Sequence, residues 1–391
     1  MRYLIKNGNL ITGGNLFFNT DVLIENGKIA EIGKNIAVFG DCETVDASDN
    51  YVSSGFVDMH QHGGGGKDYT DCGSDVCKTV TDAHLKHGTT SVMPTLLSAD
   101  ADSIIKAIEN YKTALKDKNI KANLLGIHLE GPYLAPAQSG AQNPDKIRGF
   151  IPSEYKKIIA AGQGLIKRWS VAPELDGAAE FAKTAADNGI TLSIAHSDAD
   201  FDTVCKAEKM GFNHITHFYS CMSTVKRENG FRIAGIVEAA YYLDSMAVEI
   251  IADGCHLPES LLKLIVKLKG IDNIMLVTDS MRAAGQNVKQ SYLGSGDFAV
   301  PVIIEDGVAK LENRQAFAGS IATADRLIKT MVNIGVSVAD AVKAVTENPI
   351  KMMNLSVLKG KIEKGYDADI CIFDKDINIK SVFVNGERIM L

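Results

Sequence analysis

The chain has 391 residues, 46% of them hydrophobic and 23% charged, with a formal net charge of −7 at pH 7. That length and balance can bury a substantial core, as one large domain or as a large domain with a small companion. The mild, dispersed acidity excludes a nucleic-acid footprint and a membrane-surface patch, so an acidic substrate has to be held by local charges.

The opening residues, Met1 to Lys6, lack a signal-peptide core, and no apolar run is long enough to span a bilayer, so cytoplasmic residence is expected. Seven cysteines (Cys42, Cys72, Cys77, Cys205, Cys221, Cys255, Cys371) are scattered without Cys-x-x-Cys spacing and read as mostly reduced thiols. Short strands run through the first fifty residues: 3–6, then 21–25 turning at Asn26-Gly27 into 28–32, a β-meander. Segments 368–373 and 381–389 repeat the style at the other end. Neither end supplies enough strands to stand alone, so 1–52 and 356–391 are expected to pair into one small β domain beside a larger domain at 53–355.

Between the ends the period changes. Eight apolar strand candidates, at 56–62, 90–94, 124–130, 169–172, 192–196, 215–218, 248–252 and 274–279, alternate with helical stretches. Eight such units predict a closed parallel (β/α)8 barrel of TIM type. An open doubly wound sheet is the rival, but the glycines at 63–66 follow histidines and fit a metal loop better than a phosphate loop. After the eighth strand, 294–317 reads as a hairpin insertion, and 321–334 and 338–353 as helices.

Strand ends are where this fold gathers its chemistry, and six candidates lie there: His60, His62, Glu130, His196, His217 and Asp279. Alternation puts His60 and His62 on one strand face. Four neutral imidazoles and a carboxylate suit a borderline divalent cation, zinc or ferrous iron, with a carboxylate oxygen free to bridge two ions. A metal acidifies water and polarises a carbonyl, as amide hydrolysis requires, and Asp279 is the carboxylate that moves the proton from water to the leaving nitrogen. Since His214 and His217 are three apart, strand alternation lets only one point inward, and His217 is chosen. His128 shares a face with Glu130 and is either a partner of the metal ligands or a packed core histidine; His84 and His87 read as structural. His256 follows the seventh strand and can hydrogen-bond a polar substrate. Segment 226–232 carries three cations, including Arg227 and Arg232, and reads either as a phosphate grip or as a solvated loop.

Taken together, Gly55-Phe56-Val57-Asp58-Met59-His60-Gln61-His62-Gly63, His87-Gly88-Thr89-Thr90-Ser91, His128-Leu129-Glu130-Gly131-Pro132, Ala195-His196-Ser197, Thr216-His217-Phe218, Ile251-Ala252-Asp253-Gly254, Val277-Thr278-Asp279 and Gly319-Ser320 resemble the amidohydrolase superfamily nearly end to end, and within it the branch that deacetylates amino sugar phosphates. Glu130 takes the bridging place that a carboxylated lysine fills in other branches. The resemblance implies a (β/α)8 barrel with a flanking β-sandwich, usually as a homodimer. It implies hydrolysis of N-acetylglucosamine 6-phosphate, with the galactosamine epimer or an unphosphorylated amide as the alternative and a non-catalytic barrel as the remote one. It implies one or two zinc or iron ions, with Glu130, His196 and His217 as the main site and His60 and His62 as a second. By the same resemblance Asp279 is the acid/base, His256 contacts substrate, and Arg227 or Arg232 holds phosphate, from this subunit or the neighbouring one. The chain departs from the branch pattern around the sugar: Gln142 stands where a histidine is usual, Ser220 and Cys221 replace an Asn-Ala pair, and Arg282 adds a cation past Asp279.

Overall fold

The structure, a computed structural model, describes residues 2–71, 73–296 and 299–390. Cys72, one of the thiols read from the sequence, lies outside the described residues. The parallel barrel is present. Strand Phe56–Gln61 pairs with Thr89–Leu96, and the ring continues through Ile127–Glu130, Ile166–Val171, Thr191–Ile194, Phe212–Ile215, Ala247–Ile250 and Ile274–Leu276. The first two strands are buried along their whole length, as parallel strands covered on both faces must be. Closure falls beyond Leu276, where Ser280 bridges Gln61 in parallel, the Asp279 amide donates to the His60 carbonyl at 2.8 Å, and the His62 amide donates to the Ser280 carbonyl at 2.8 Å. The barrel is therefore sewn shut by the backbone of His60, His62 and Asp279 and their neighbours Gln61 and Ser280.

Three element boundaries differ from expectation. The strand at 124–130 divides into Asn123–Leu124 and Ile127–Glu130, because Gly126 between them takes φ 136°. The helix at 338–353 is two, Val338–Val345 and Glu347–Met352, broken at Thr346 (φ −127°, ψ −75°). The insertion is a three-stranded antiparallel sheet, Gln290–Leu293, Val300–Glu305 and Val308–Leu311, and its first strand begins before 294 in a polar run without a clear apolar period. Asp297 and Phe298, within that insertion, lie outside the described residues.

Both chain ends enter one sheet, in the order Glu387–Ile389, Ile379–Val384, Ile370–Phe373, Tyr51–Ser54, Arg2–Thr12, Asn15–Glu25, Lys28–Gly33, with Glu43–Asp46 also paired to the long Arg2–Thr12 strand. This is the flanking β-sandwich, and it encloses a core of its own that includes Ile5, Val22, Ile24, Val52, Ile370 and Phe383. No helix among the described residues is long and apolar enough to cross a membrane.

The sandwich meets the barrel at Gly55, whose amide donates to the Asp369 carbonyl at 2.9 Å while Phe56 packs on Phe373 with ring centroids 6.0 Å apart. A Cβ on Gly55 would lie 2.2 Å from Thr90 Oγ1. Gly55→Ala is therefore expected to destabilise the fold by about 1–3 kcal/mol, an overpacking cost, read as a lowered denaturant midpoint. An unchanged midpoint would show that Thr90 gives way to a Cβ at this position without cost.

Candidate active site

The six candidates meet at the C-terminal mouth of the barrel. His60 and Glu130 lie at or near the ends of their strands; His62, His196, His217 and Asp279 come one to three residues past theirs. Three of these adopt left-handed backbone, His196 at φ 45°, His217 at 29° and Asp279 at 46°, a conformation costing a non-glycine residue on the order of 1–3 kcal/mol. The turn takes each side chain off the pleat and sends it across the mouth. Strand alternation thus does not separate His217 from His214 as expected: His217 lies beyond its strand, and His214, also buried, sits in the field of Arg168 and Glu249, its pKa brought down to about 3 mainly by burial. Gly319 closes the turn against Asp279, where a Cβ would come within 2.8 Å of the Asp279 carbonyl oxygen.

The donors form two clusters around one carboxylate. Glu130 Oε1 lies 2.9 Å from His217 Nε2 and 3.2 Å from His196 Nε2, while Oε2 lies 3.3 Å from His62 Nε2. Asp279 Oδ1 lies 3.1 Å from His62 Nε2 and 3.4 Å from His60 Nε2. His60, His62 and Asp279 form one group able to hold an ion, and Glu130, His196 and His217 the other, all buried.

Ring orientation is set from behind. His62 Nδ1 faces the Thr95 carbonyl at 3.3 Å, His196 Nδ1 the Gln138 carbonyl at 2.7 Å, and His60 Nδ1 the Glu249 carboxylate at 3.2 Å. A ring nitrogen facing such an acceptor carries a proton, which turns Nε2 to the cleft, where it can donate to a carboxylate or, once deprotonated, bind a metal ion. His217 Nδ1 has no hydrogen-bond partner. The electrostatics also call for positive charge. Burial pushes the Glu130 carboxyl up, but hydrogen bonds from His196, His217 and His62 outweigh it and hold the group well below the usual carboxylate range. Burial likewise opposes a charge on His62, yet Asp279 and Glu130 keep its pKa at about 10. A buried set of oriented imidazoles with ionised carboxylates is the donor chemistry of a divalent metal.

Gln142, Ser220, Cys221 and His256 line the same cleft, of about 210 Å³. Gln142 Nε2 donates to Glu130 Oε2 at 2.8 Å, and its Oε1 accepts from the Ser98 amide at 2.9 Å. His256 is held by Asp253, Nδ1 to Oδ2 at 2.9 Å, and its ring packs edge-on to Phe317. Arg227 and Arg232 are not brought to this cleft; they face each other across an exposed hairpin, Lys226–Glu228 with Phe231–Ile233. Arg282 is committed to Asp71, 2.9 Å away, and to the Tyr292 and Gly294 carbonyls. His128 bridges Thr95 and Ser170 inside the barrel, His84 bonds the Gly63 carbonyl at 3.0 Å, and His87 pairs with Asp325 at 2.8 Å. Sequence reasoning missed Glu249 and Arg168. The signal for Glu249 was a charge set within the otherwise apolar strand Ala247–Ile250, whereas Arg168 lay beside Lys167 in the mixed strand Ile166–Val171.

A barrel with two histidine–carboxylate clusters at its C-terminal mouth defines the class of metal-binding barrel hydrolases. The chain belongs to the amidohydrolase family, whose model matches residues 51–389. It is 32% identical over 388 residues to the N-acetylglucosamine-6-phosphate deacetylase of Bacillus subtilis (strain 168), covering 98% of this chain and 96% of that one. It is 28% identical to the N-acetylgalactosamine-6-phosphate deacetylase of Shewanella sp. (strain ANA-3), covering 98% and 95%. The crystal structure of N-acetylglucosamine-6-phosphate deacetylase from Pasteurella multocida superposes with a TM-score of 0.91 at 26% identity, covering 99% of each chain.

The raised His62 pKa has a definite sign. Shifted from 6.5 to about 10, it adds stability to the metal-free protein that is full below about pH 6.5 and lost as pH rises through 10. An ion must expel that proton, so binding should release protons at pH 7 and tighten as pH climbs toward 10. Calorimetry of zinc binding in two buffers of different ionisation enthalpy checks this. Identical heats in both would mean that no proton leaves.

Proposed function

We propose that the chain hydrolyses N-acetylglucosamine 6-phosphate to glucosamine 6-phosphate and acetate, as a step of amino sugar catabolism in the cytoplasm. One observation carries the chemistry: an ionised carboxylate, Asp279, stands with His60 and His62 in one donor cluster that meets the other, Glu130, His196 and His217, through the contact of Glu130 with His62. The likeness to deacetylases along nearly the whole chain supports the substrate. The described cysteines are free thiols, which suits a reducing compartment.

Glu130, His196 and His217 would hold a divalent ion, zinc or iron, with His60, His62 and Asp279 as the place for a second. Such an ion supplies a Lewis acid that polarises the acetyl carbonyl and acidifies water. Burial raises the Asp279 pKa, but His60 and His62 outweigh it and keep the carboxylate ionised, so it can accept the proton of the attacking water. It then returns that proton to the nitrogen, which leaves as an amine. Gln142 is a donor that does not titrate; anchored by Ser98, it keeps one hydrogen for Glu130 and presents its amide at the cleft wall. His256, fixed by Asp253, contacts a sugar hydroxyl, and Ser220 and Cys221 border the same wall.

The cleft wall contains no lysine or arginine among the described residues, so the 6-phosphate needs cations from elsewhere. The exposed hairpin bearing Arg227 and Arg232 is the source we assign, reaching the cleft of the neighbouring subunit in a homodimer. The N-acetylgalactosamine epimer is the second reading, favoured by the Shewanella relative and by Ser220 and Cys221 at the sugar.

Acetate release from N-acetylglucosamine 6-phosphate should be abolished by chelation and restored by zinc or iron. No release from either epimer, with metal bound, would refute the reading. Asp279→Asn should lower turnover about 10²–10⁴-fold while the ion at Glu130 stays bound; undiminished turnover would remove Asp279 from proton transfer. Arg232→Ala should raise KM for the phosphorylated sugar far more than for its unphosphorylated analogue, and equal effects would exclude Arg232 as the phosphate ligand.

A further inference from the structure

Glu249 is fully buried in the strand Ala247–Ile250 and touches both donor clusters. Its Oε2 lies 3.2 Å from His60 Nδ1 and accepts from the His217 amide at 3.3 Å, and its backbone carbonyl accepts from the Phe218 amide at 2.7 Å. Its Oε1 is ion-paired with Arg168, which is fully buried too. Arg168 is itself pinned, with Nε donating to Ser193 Oγ and Nη2 to Thr216 Oγ1, both at 3.1 Å. The centre of a parallel barrel is normally filled by layers of branched apolar side chains. An ion pair there is often no more stabilising than apolar residues of the same volume. Its presence calls for an explanation other than stability, and the side chain it reaches toward the cleft is His60. Of the four clustered histidines, His60 alone faces a carboxylate at Nδ1; His62 and His196 face backbone carbonyls there, and His217 Nδ1 is unpartnered.

We infer that the Arg168–Glu249 pair is a positioning device for His60: it fixes the Nδ1–H tautomer, strengthens Nε2 as a donor, and so controls ion occupancy at His60, His62 and Asp279 selectively. The inference rests on the reading of the two clusters as metal positions. A carboxylate that accepts the Nδ1 proton stabilises positive charge on the ring as Nε2 gives up its lone pair, which a carbonyl dipole does more weakly. Arg168 holds the carboxylate in place through the pair and two hydroxyl contacts. The Glu130, His196 and His217 position meets Glu249 only through a backbone amide, for which any oxygen acceptor suffices.

The test is Glu249→Gln, which keeps an oxygen for both His60 and the His217 amide but loses the charge. Because the single variant leaves Arg168 buried without a counter-charge, Glu249→Gln with Arg168→Met removes both charges and serves if the single variant fails to fold. Wild type and variants are loaded with zinc, dialysed against graded chelator and assayed for ions per subunit by elemental analysis. The expected result is two steps in the wild type, with the weaker step shifted 10–100-fold in the variants and the tighter one unmoved. Equal shifts of both steps would mean a general loss of structure and would overturn the inference; so would two unmoved steps, or a wild type that holds a single ion. Acetate release measured on the same wild-type sample separates the outcomes. Two ions without turnover would remove the deacetylase reading and leave the role of Glu249 to be decided by the chelator steps alone.

Discussion

The mouth of this barrel depends on one buried carboxylate. Glu130 is 3% exposed and is surrounded by three imidazole nitrogens and the Gln142 amide, all within 3.3 Å. No apolar side chain of that size could sit there without leaving several buried polar atoms unpartnered, each at a cost of roughly 1–3 kcal/mol. Its charge matters as much as its place. With Asp279 close by, it supplies the negative field that orders four imidazoles into donors facing one space, and that field makes the site hungry for a cation.

The scaffold concedes backbone strain to hold this arrangement. Three of the clustered residues take left-handed φ, and the final strand of the ring, Ile274–Leu276, gives way to a seam of single contacts running through Asp279 and Ser280. Beneath it, Asp58 accepts from Thr278 Oγ1 at 2.6 Å and Gln61 Nε2 at 2.9 Å, tying first strand to last. Closure of the fold and alignment of the donors are thus the same set of bonds. A barrel that failed to close there would scatter His60, His62 and Asp279 together.

Much of this was legible because strand ends are punctuated. An apolar run that stops at a histidine or an acid is a local pattern, and a (β/α)8 barrel brings five such stops to one mouth, so the six clustered residues and the barrel could be read without knowing a single contact. The pairing of the chain ends followed from the same economy of strands. What was not legible depended on geometry that period cannot carry. His217 was placed on the inner face by alternation, when in fact it has left its strand. Glu249 and Arg168 were passed over because a charge within a strand has no meaning until its partner, 81 residues away, is known. Arg227 and Arg232 could be recognised as a cationic pair, but the exposed hairpin that carries them does not line the cleft of its own chain.

That last separation bears on how an anionic sugar could be bound. The walls of the cleft carry two carboxylates and, among the described residues, no lysine or arginine, so a phosphate finds no permanent counter-charge there. Under the proposed function, divalent metal at the clusters would supply positive charge at the reacting end, and arginines from a second chain would supply it at the phosphate end. The two charges lie at opposite ends of the substrate, so a molecule with an amide and a phosphate the right distance apart satisfies both at once. Charge, more than shape, would then select a sugar phosphate over a neutral amide, and assembly of two subunits would be part of the site itself.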